Sequence, residues 1–323
     1  MNGMSAAVFG GALAYVRDYP VPEVKPGWAR IRVQVAGICK TDMEIMKGYL
    51  GFTGILGHEF VGVVDRCEDR ALIGKRVVGD INAACGHCAW CARGLGRHCP
   101  QRTTLGIANL NGCMAEFCIL PRENLLVVPE QMPAERAVLT EPLAAACEIL
   151  EQLSIEKTDR IVVLGDGRLG VLCAWALATA APDVTIIGHH PAKLSLARWR
   201  GITTLLGDDQ VMPGADIVVE ATGTSQGISR AMKLCRPRGT IVLKSTVAIP
   251  GDVNLAPVVI NEQTIVGSRC GRFPAALAMM GSFPDMPLDR IITGRFALER
   301  VEEAFARAQQ KDALKVLLDI ASR

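Results

Sequence analysis

The chain has 323 residues, of which 50% are hydrophobic and 21% are charged, and its 35 Lys and Arg residues nearly balance 33 Asp and Glu residues. This composition is typical of a globular protein with a large core and excludes a mostly disordered chain. A formal net charge of +2 gives no electrostatic reason to expect a nucleic acid or an anionic membrane as a partner.

The first residues, MNGMSAAVFGGALAYVRD, contain no basic segment before their apolar part, so we expect no secretory signal peptide. The longest apolar run, LGVLCAWALATAAP, is too short to span a bilayer. We therefore expect a soluble, cytoplasmic protein.

Up to about residue 140, short strand-like runs alternate with segments rich in Gly, Pro and Asn. Examples of these runs are ARIRVQVAG, EFVGVVDRC and KRVVGDIN. Short apolar runs bounded by turn residues predict a domain that is mostly β-sheet and has long loops.

Strands and helices alternate in the part of the chain that follows PAERAVLTEPLAAACEILEQL. The runs RIVVLG, DVTIIG and ADIVVEATG each precede a predicted helix, and these helices begin at Arg168, Pro191 and Ser225. Apolar strands alternating with helices predict a parallel, doubly wound sheet that is covered on both faces. The final stretch predicts an amphipathic helix and then a strand that has to join a sheet formed elsewhere.

Four of the twelve cysteines lie in CGHCAWCARGLGRHC, with the spacing C-x2-C-x2-C-x7-C: Cys85, Cys88, Cys91 and Cys99. A tight cysteine cluster in a chain without an export signal indicates metal binding rather than a disulfide framework. Four thiolates make a closed tetrahedral zinc site, whose role is structural. An iron–sulfur cluster is the alternative, because ferredoxin-type sequences also have short gaps. We expect His87 and His98, inside the cluster, to be loop residues.

Gly165, Gly167 and Gly170 form the pattern G-x-G-x-x-G between an apolar strand and a helix. In this context the glycines permit a tight turn and let a pyrophosphate approach the backbone at the positive end of the helix. The sequence therefore predicts a dinucleotide site for NADP or NAD.

The next strand, DVTIIG, ends without the Asp or Glu that would bind the ribose of NAD. Gly188, His189 and His190 stand there instead, with Lys193 one turn further on. Glycine leaves room for a 2′-phosphate, and imidazole or ammonium groups can donate hydrogen bonds to it. This pattern favours NADP over NAD, and the alternative is a polar turn without a ligand.

Five motifs, GICKTD, GHEFVG, the four-cysteine lobe, TEPLAAA and GDGRLG, occur in the chain order of the zinc-containing medium-chain dehydrogenases. The sequence resembles that family over essentially its whole length, and GHE with EPLA resembles its polyol, threonine and glucose dehydrogenase branch. The resemblance implies an α/β protein with a GroES-like, β-rich catalytic domain at 1–144 and 274–323 that includes the zinc lobe at 85–99. It also implies a Rossmann domain at 145–273 and an active site in the cleft between the domains.

The resemblance further implies that Cys39, His58 and Glu59 bind a catalytic zinc ion. Glu141 matches a carboxylate that either binds this zinc or holds the water on it, and relatives differ on which glutamate is the direct ligand. Thr41 matches the hydroxyl that passes on the substrate proton.

Other residues take their expected roles from the same resemblance. Asp42 matches the acceptor that orients the histidine ligand, and Lys40 stands where a cation reaches the cofactor pyrophosphate. The predicted cofactor-binding residues are Lys40, Gly165, Gly167, Arg168, Leu169, Gly170, Gly188, His189, His190, Lys193, Thr222, Gly223, Ser268 and Arg269.

The implied function is hydride transfer between a small-molecule alcohol (a secondary alcohol, polyol or sugar) and NAD(P), with NADP favoured. Two zinc ions per chain are expected, one catalytic and one structural, in a homo-oligomer that is a dimer or a tetramer. The alternatives are a zinc-free quinone or enoyl reductase of the same fold and a non-enzymatic module that binds zinc and a nucleotide.

Overall fold

The computed structural model describes residues 3–207, 212–245 and 252–320. The strands are β1 Met4–Phe9, β2 Leu13–Tyr19, β3 Trp28–Ile38, β4 Gly54–Ile55, β5 Glu59–Cys67, β6 Arg76–Gly79, β7 Asn82–Ala83, β8 Thr103–Leu105, β9 Asn109–Leu110, β10 Phe117–Pro121, β11 Leu125–Val127, β12 Ile161–Leu164, β13 Val184–Gly188, β14 Thr203–Leu206, β15 Ala215–Glu220, β16 Cys235–Leu243, β17 Thr264–Gly267, β18 Ile292–Ala297 and β19 Lys315–Asp319.

The helices are α1 Lys40–Met46, α2 Ala89–Ala92, α3 Ala134–Ala137, α4 Thr140–Gln152, α5 Arg168–Leu177, α6 Pro191–Ala197, α7 Ser225–Leu234, α8 Ala256–Ile260, α9 Phe273–Ser282 and α10 Val301–Ala308. Short 3-10 segments span Tyr49–Gly51, Gly96–His98, Arg122–Asn124, Leu288–Ile291 and Leu298–Arg300. Among the residues that the structure describes, no helix has both the length and the apolar character needed to cross a membrane.

The chain forms two compact units. Met1–Glu141 and Ile292–Arg323 make the first unit, and Pro142–Ile291 makes the second. The resemblance implies a return to the first domain at residue 274, whereas the structure returns to the first unit at Ile292. Helix α9 accounts for the difference, because the Met279 sulfur on this helix lies 3.7 Å from the Cys147 sulfur within the second unit.

A seven-stranded sheet dominates the first unit, with the order β11-β6-β5-β3-β19-β18 and with β10 also paired to β3. Along β3, the buried Ile31, Val33 and Val35 alternate with more exposed residues, as in a strand with one solvated face. From residue 35 to residue 38 every side chain is buried. The residue that follows this fully buried end, Cys39, therefore lies at the edge of the packed core.

The last strand of the chain joins the sheet of the first unit. Strand β19 runs antiparallel to β3, with Val316 opposite Ile38 and Asp319 opposite Val35, and parallel to β18. The strand that the sequence left without a sheet is therefore a central strand of the first unit.

The second unit contains a six-stranded parallel sheet with the order β14-β13-β12-β15-β16-β17. All four residues of β12 are buried apolar side chains, as expected for a parallel sheet covered on both faces. The carboxyl ends of the five strands from β13 to β17 in this order lie at one edge, at Gly188, Leu164, Glu220, Leu243 and Gly267. The predicted fold, a β-rich GroES-like unit plus a doubly wound Rossmann unit, is confirmed.

Helix α10 provides a test of how the end of the chain stabilises the first unit. Its buried face carries Phe305 and packs against β18, β19 and β2. We expect Phe305→Ala to lower the free energy of unfolding by about 3–5 kcal/mol, because it removes a large buried side chain and leaves a cavity. The exposed Glu302 on the same helix supplies the control variant Glu302→Ala, and urea unfolding of both variants is the measurement. A loss below about 1 kcal/mol for Phe305→Ala would contradict this packing.

Candidate active site

Two neighbouring strands bring a thiol, an imidazole and a carboxylate together in the first unit. Strand β3 ends immediately before Cys39, and β5 begins at Glu59, which is directly opposite Gly37 of β3. His58 precedes Glu59 and is almost completely buried. One ligand atom from each of Cys39, His58 and Glu59 lies within 4.8 Å of the other two.

These three donors fit a zinc ion by their chemistry and by their spacing. A sulfur, an imidazole nitrogen and a carboxylate oxygen are the ligand types that zinc takes in proteins. Three protein ligands leave a fourth tetrahedral position open, which is the arrangement of catalytic rather than structural zinc sites. The first unit therefore contains a candidate catalytic metal site at the positions that the resemblance indicated.

Asp42 is fully buried and links the two segments that carry the donors. Its Oδ2 accepts a hydrogen bond of 2.8 Å from the backbone N–H of Cys39, and its Oδ1 accepts one of 3.2 Å from the backbone N–H of Gly57. The same Oδ1 lies 3.3 Å from Nδ1 of His58. One carboxylate thus positions the residue before α1 and the residues before β5.

The charges around His58 favour a cation at this point. Burial by itself would lower the pKa of His58, but the negative charges of Asp42 and Cys39 outweigh it and raise this pKa well above its ordinary value. The same negative charges attract a metal ion, because a metal ion compensates buried negative charge as a protonated imidazole does.

A buried lysine holds the carboxylate of Glu59. Lys315 and Glu59 are both fully buried, and the ammonium group of Lys315 forms an ion pair with Oε2 of Glu59. Lys315 Nζ also donates a hydrogen bond of 3.3 Å to the carbonyl oxygen of Ile38. A Cβ on Gly37 would overlap Oε2 of Glu59, so a residue without a side chain is required where β3 passes this carboxylate.

Glu141 lies outside the group of three donors but close to it. Glu141 is partly exposed, and it follows Thr140 in the first turn of α4. Loss of hydration raises the pKa of Glu141 to about 7, with His58 lowering it and Glu59 raising it. The mutual influence of these charges places Glu141 at the margin of the candidate metal site.

Thr41 and Lys40 occupy the first turn of α1. The hydroxyl oxygen of Thr41 lies 3.7 Å from the Cys39 sulfur, and its side chain is half-buried. Lys40 is exposed. The structure therefore brings the hydroxyl of Thr41 to the donor set, and the predicted contact of Lys40 with a pyrophosphate stays a prediction.

The four cysteines of the lobe converge on one point. The sulfurs of Cys85 and Cys91 lie 3.9 Å apart, those of Cys88 and Cys91 3.5 Å, and those of Cys88 and Cys99 3.7 Å. A Zn–S bond of about 2.3 Å places the sulfurs of a tetrahedron about 3.8 Å apart. The spacing therefore fits one tetrahedral ion, and it is too short for the sulfurs to surround a cluster of several metal ions.

Backbone groups tune the thiols of this lobe. A hydrogen bond from the backbone amide of Cys85 lowers the pKa of Cys99 to about 6, which favours the thiolate form that binds metal. The ring Nδ1 of His87 lies 2.8 Å from the carbonyl oxygen of Cys85, on an exposed side chain. His87 thus contacts the backbone of the loop.

The G-x-G-x-x-G turn of the second unit has the backbone that its glycines predict. Gly165 has a φ of +109°, and a Cβ there would lie 2.7 Å from the carbonyl oxygen of Ala221. A Cβ on Gly170 would overlap the carbonyl oxygen of Gly165. At Gly167, the residue before α5, no atom of the described part of the chain lies within 4 Å of the Cβ position. The backbone is therefore open at Gly167, as the predicted pyrophosphate contact requires.

The predicted residues at the ends of β15 and β17 lie along the same edge of this sheet. The buried Glu220 accepts hydrogen bonds from the backbone N–H of Thr222 at 2.7 Å and from its hydroxyl at 2.5 Å. The backbone N–H of Gly223 donates to the hydroxyl oxygen of Ser245 at 2.9 Å. Ser268 follows β17, and its hydroxyl oxygen accepts a hydrogen bond from Lys244 Nζ at 3.0 Å.

Arg269 follows Ser268 along the same edge, and its carbonyl oxygen accepts a hydrogen bond of 3.0 Å from Lys244 Nζ. Arg168 and Leu169 form the first turn of α5, directly after Gly167. Lys193 is buried within α6. Contacts of these four residues with a cofactor stay predictions.

The end of β13 differs from the picture that favoured NADP. The sequence predicts room for a 2′-phosphate at Gly188 and hydrogen-bond donors to it at His189 and His190. In the structure, Asp166 fills the space beside Gly188, where an added Cβ would overlap the Asp166 side chain. Its carboxylate accepts hydrogen bonds from the backbone N–H groups of His189 and His190. The predicted space for a 2′-phosphate at Gly188 is therefore taken by a carboxylate from the glycine turn, and the choice between NAD and NADP stays a prediction.

Comparison with known proteins assigns the family. Residues 25–130 match the family model for the alcohol dehydrogenase GroES-like domain, and residues 134–320 match the model for the glucose dehydrogenase C-terminus. The chain belongs to the zinc-containing medium-chain dehydrogenase family. It is an alcohol dehydrogenase-type oxidoreductase with a GroES-like unit and a Rossmann unit.

Individual relatives agree with this assignment over nearly the whole chain. The erythritol/L-threitol dehydrogenase of Mycolicibacterium smegmatis is 30% identical over 98% of this chain and 97% of its own. The D-altritol 5-dehydrogenase of Agrobacterium fabrum is 28% identical over 91% of this chain and 92% of its own. The solved structure of the alcohol dehydrogenase TADH from Thermus sp. ATN1 is 27% identical, covers 98% of this chain and 100% of its own, and superposes with a TM-score of 0.88.

Three residues of these sites were missed in the sequence. Lys315 carries a usable signal, because a lysine inside the apolar run LKVLLDI is unusual for a buried strand without a partner charge. Asp166 stands inside the glycine pattern, where the pattern assigns no role to the side chain. Gly37 gives no signal, because only its pairing with Glu59 shows why a side chain is excluded.

The buried ion pair gives a testable expectation. In the zinc-free protein, we expect Lys315→Met to lower the free energy of unfolding by about 3–5 kcal/mol, because it leaves the carboxylate of Glu59 buried without a cation. The double variant Lys315→Met with Glu59→Gln is expected to recover most of this loss, since no buried charge is then uncompensated. Urea unfolding is the measurement, with the exposed Lys311 changed to Met as the control. A double variant no more stable than Lys315→Met alone would contradict the pairing.

Proposed function

We propose that this protein is a zinc-dependent dehydrogenase that transfers a hydride between a secondary alcohol, of the polyol or sugar class, and a nicotinamide dinucleotide. One observation carries the proposal: ligand atoms of Cys39, His58 and Glu59 lie within 4.8 Å of one another. This donor set provides the three protein ligands that a catalytic zinc requires in a chain of the zinc-containing dehydrogenase family. The zinc-free reductase and the non-enzymatic module do not explain why these donors converge.

Cys39, His58 and Glu59 are assigned as the three protein ligands of the catalytic zinc. The ion pair with Lys315 fixes one oxygen of Glu59, and the carboxylate belongs to the group of close ligand atoms. Glu141 lies outside that group, so we assign it the role of holding water or substrate beside the metal rather than binding the ion directly. Asp42 orients His58, because one of its oxygens lies 3.3 Å from the ring nitrogen Nδ1.

When bound by Cys39, His58 and Glu59, zinc would supply a Lewis acid that lowers the pKa of the alcohol, and a bound nicotinamide would supply the hydride acceptor. The work of the protein is to position these groups and to move one proton. The Thr41 hydroxyl, 3.7 Å from the Cys39 sulfur, is placed to accept the alcohol proton at its oxygen and to donate its own proton onward.

The substrate class follows from the relatives together with the site. Two similar proteins carry the names of an erythritol/L-threitol dehydrogenase and a D-altritol dehydrogenase, which act on polyols. The Thr41 hydroxyl and the Glu141 carboxylate lie beside the donor set and are partly exposed, and such groups suit a substrate with several hydroxyls.

Four thiolates at Cys85, Cys88, Cys91 and Cys99 are assigned to a second, structural zinc. A dimer or tetramer and a cytoplasmic location stay predictions.

Metal content and activity together test the catalytic zinc. We expect about two zinc ions per chain in the purified protein and about one in Cys39→Ala, with polyol oxidation lost in that variant because the thiolate ligand is gone. The matched control is Cys67→Ala, at a buried cysteine at the end of β5, which is expected to keep both ions. Elemental analysis and a panel of polyols and secondary alcohols are the measurements. Activity that survives Cys39→Ala would refute the zinc mechanism.

The proton path is tested separately at Thr41. We expect Thr41→Ala to lower kcat by about 10²–10⁴-fold with little change in zinc content, because it removes a positioned proton acceptor and not a ligand. Thr41→Ser keeps the hydroxyl and is expected to retain most of the activity. The idea fails if the alanine and serine variants lose activity equally.

A further inference from the structure

We infer that Asp166 makes this protein select NAD over NADP, an inference that rests on the proposed use of a nicotinamide dinucleotide. Asp166 is the second residue of the glycine turn that begins at Gly165 and follows β12. Strands β12 and β13 are parallel neighbours, with Leu164 opposite Ile187. The turn after β12 and the end of β13 therefore lie side by side, and Asp166 reaches from the first to the second.

The carboxylate of Asp166 is fixed at the end of β13. Its Oδ2 accepts hydrogen bonds from the backbone N–H of His189 at 2.8 Å and of His190 at 2.6 Å. The imidazole Nδ1 of His190 lies 3.1 Å from both carboxylate oxygens. Asp166 is only 7% exposed, so this group is a built part of the site.

Gly188 makes this placement possible. A Cβ at this position would overlap the side chain of Asp166, so a strand that ended in Asp or Glu would exclude the aspartate of the turn. In the common dinucleotide-binding arrangement, an acidic residue in this region hydrogen-bonds the ribose 2′-hydroxyl. Positions 166 and 188 together supply the same acid from the neighbouring loop.

The charge of this group discriminates between the two cofactors. A carboxylate oxygen can accept more than one hydrogen bond. Both backbone N–H groups bind Oδ2 of Asp166, and Oδ1 lies 3.1 Å from Nδ1 of His190. The ribose 2′-hydroxyl can therefore donate a hydrogen bond to Oδ1 of Asp166. A 2′-phosphate carries about −1.5 to −2 charges and would meet a negative group where it needs donors. The two N–H groups that suit a phosphate already hold the carboxylate.

Cofactor binding by the zinc-loaded full-length protein tests the inference directly. NADH and NADPH are titrated separately and their dissociation constants obtained from nicotinamide fluorescence. We expect the protein to bind NADH at least about tenfold more tightly than NADPH, and Asp166→Asn to reduce that ratio at least about tenfold, because the neutral amide repels no phosphate. The control Asp216→Asn removes a carboxylate that also accepts a backbone N–H, from Arg160 at 2.8 Å, at the opposite end of β15. The control is expected to leave the ratio unchanged.

A relocation variant keeps the test decisive if Asp166→Asn folds poorly. Gly188→Asp moves the carboxylate to the end of β13, and Asp166→Gly in the same variant removes the side chain that a Cβ at position 188 would overlap. We expect this double variant to bind NADH more tightly than NADPH, as the parent protein does. Thermal unfolding of each variant confirms that the binding constants refer to folded protein.

The outcomes separate the inference from the function on which it rests. Tighter binding of NADPH by the parent protein, equal binding of both cofactors, or an unchanged ratio in Asp166→Asn overturns the role of Asp166 while the dehydrogenase proposal stands. Failure of the zinc-loaded parent protein to bind either cofactor overturns both.

Discussion

The buried ion pair between Glu59 and Lys315 is the interaction on which the candidate site depends. The two residues are 256 positions apart in the chain, and they meet because β19 inserts next to β3 in the sheet of the first unit. A buried carboxylate without a partner would be costly, so this position of Glu59 requires the returning strand. The position of Glu59 in the candidate metal site therefore depends on strand β19 completing the sheet.

Both units place chemistry where strands end. In the first unit, β3 ends before Cys39 and β5 begins at Glu59, so the donors meet at the end of a fully buried strand segment. In the second unit, the carboxyl ends of five parallel strands form one edge, and the glycine turn stands on it. Rigid strands fix the positions of side chains more precisely than free loops can. Single carboxylates then connect adjacent segments, Asp42 in the first unit and Asp166 in the second.

Much of this arrangement was predictable from the sequence. The strand and helix pattern, the four-cysteine spacing and the glycine turn are local, and each has a physical signature within a short stretch of chain. Lys315 beside Glu59 and Asp166 beside Gly188 depend on which strands become neighbours and in what register, and no local pattern encodes that. The sequence pattern that favours NADP misses this carboxylate for the same reason: the strand after the glycine turn lacks an acid, and the carboxylate of Asp166 comes from the turn itself.

In the proposed function, one thiolate, one imidazole and one carboxylate hold a zinc ion in the first unit, and four thiolates hold another. Zinc K-edge X-ray absorption of the purified protein counts these ligands directly. We expect an average of about 2.5 sulfur ligands per zinc, rising to about four in Cys39→Ala, where the structural zinc alone remains. An average of four sulfurs in the parent protein, or an average in Cys39→Ala that does not rise, would contradict this proposal.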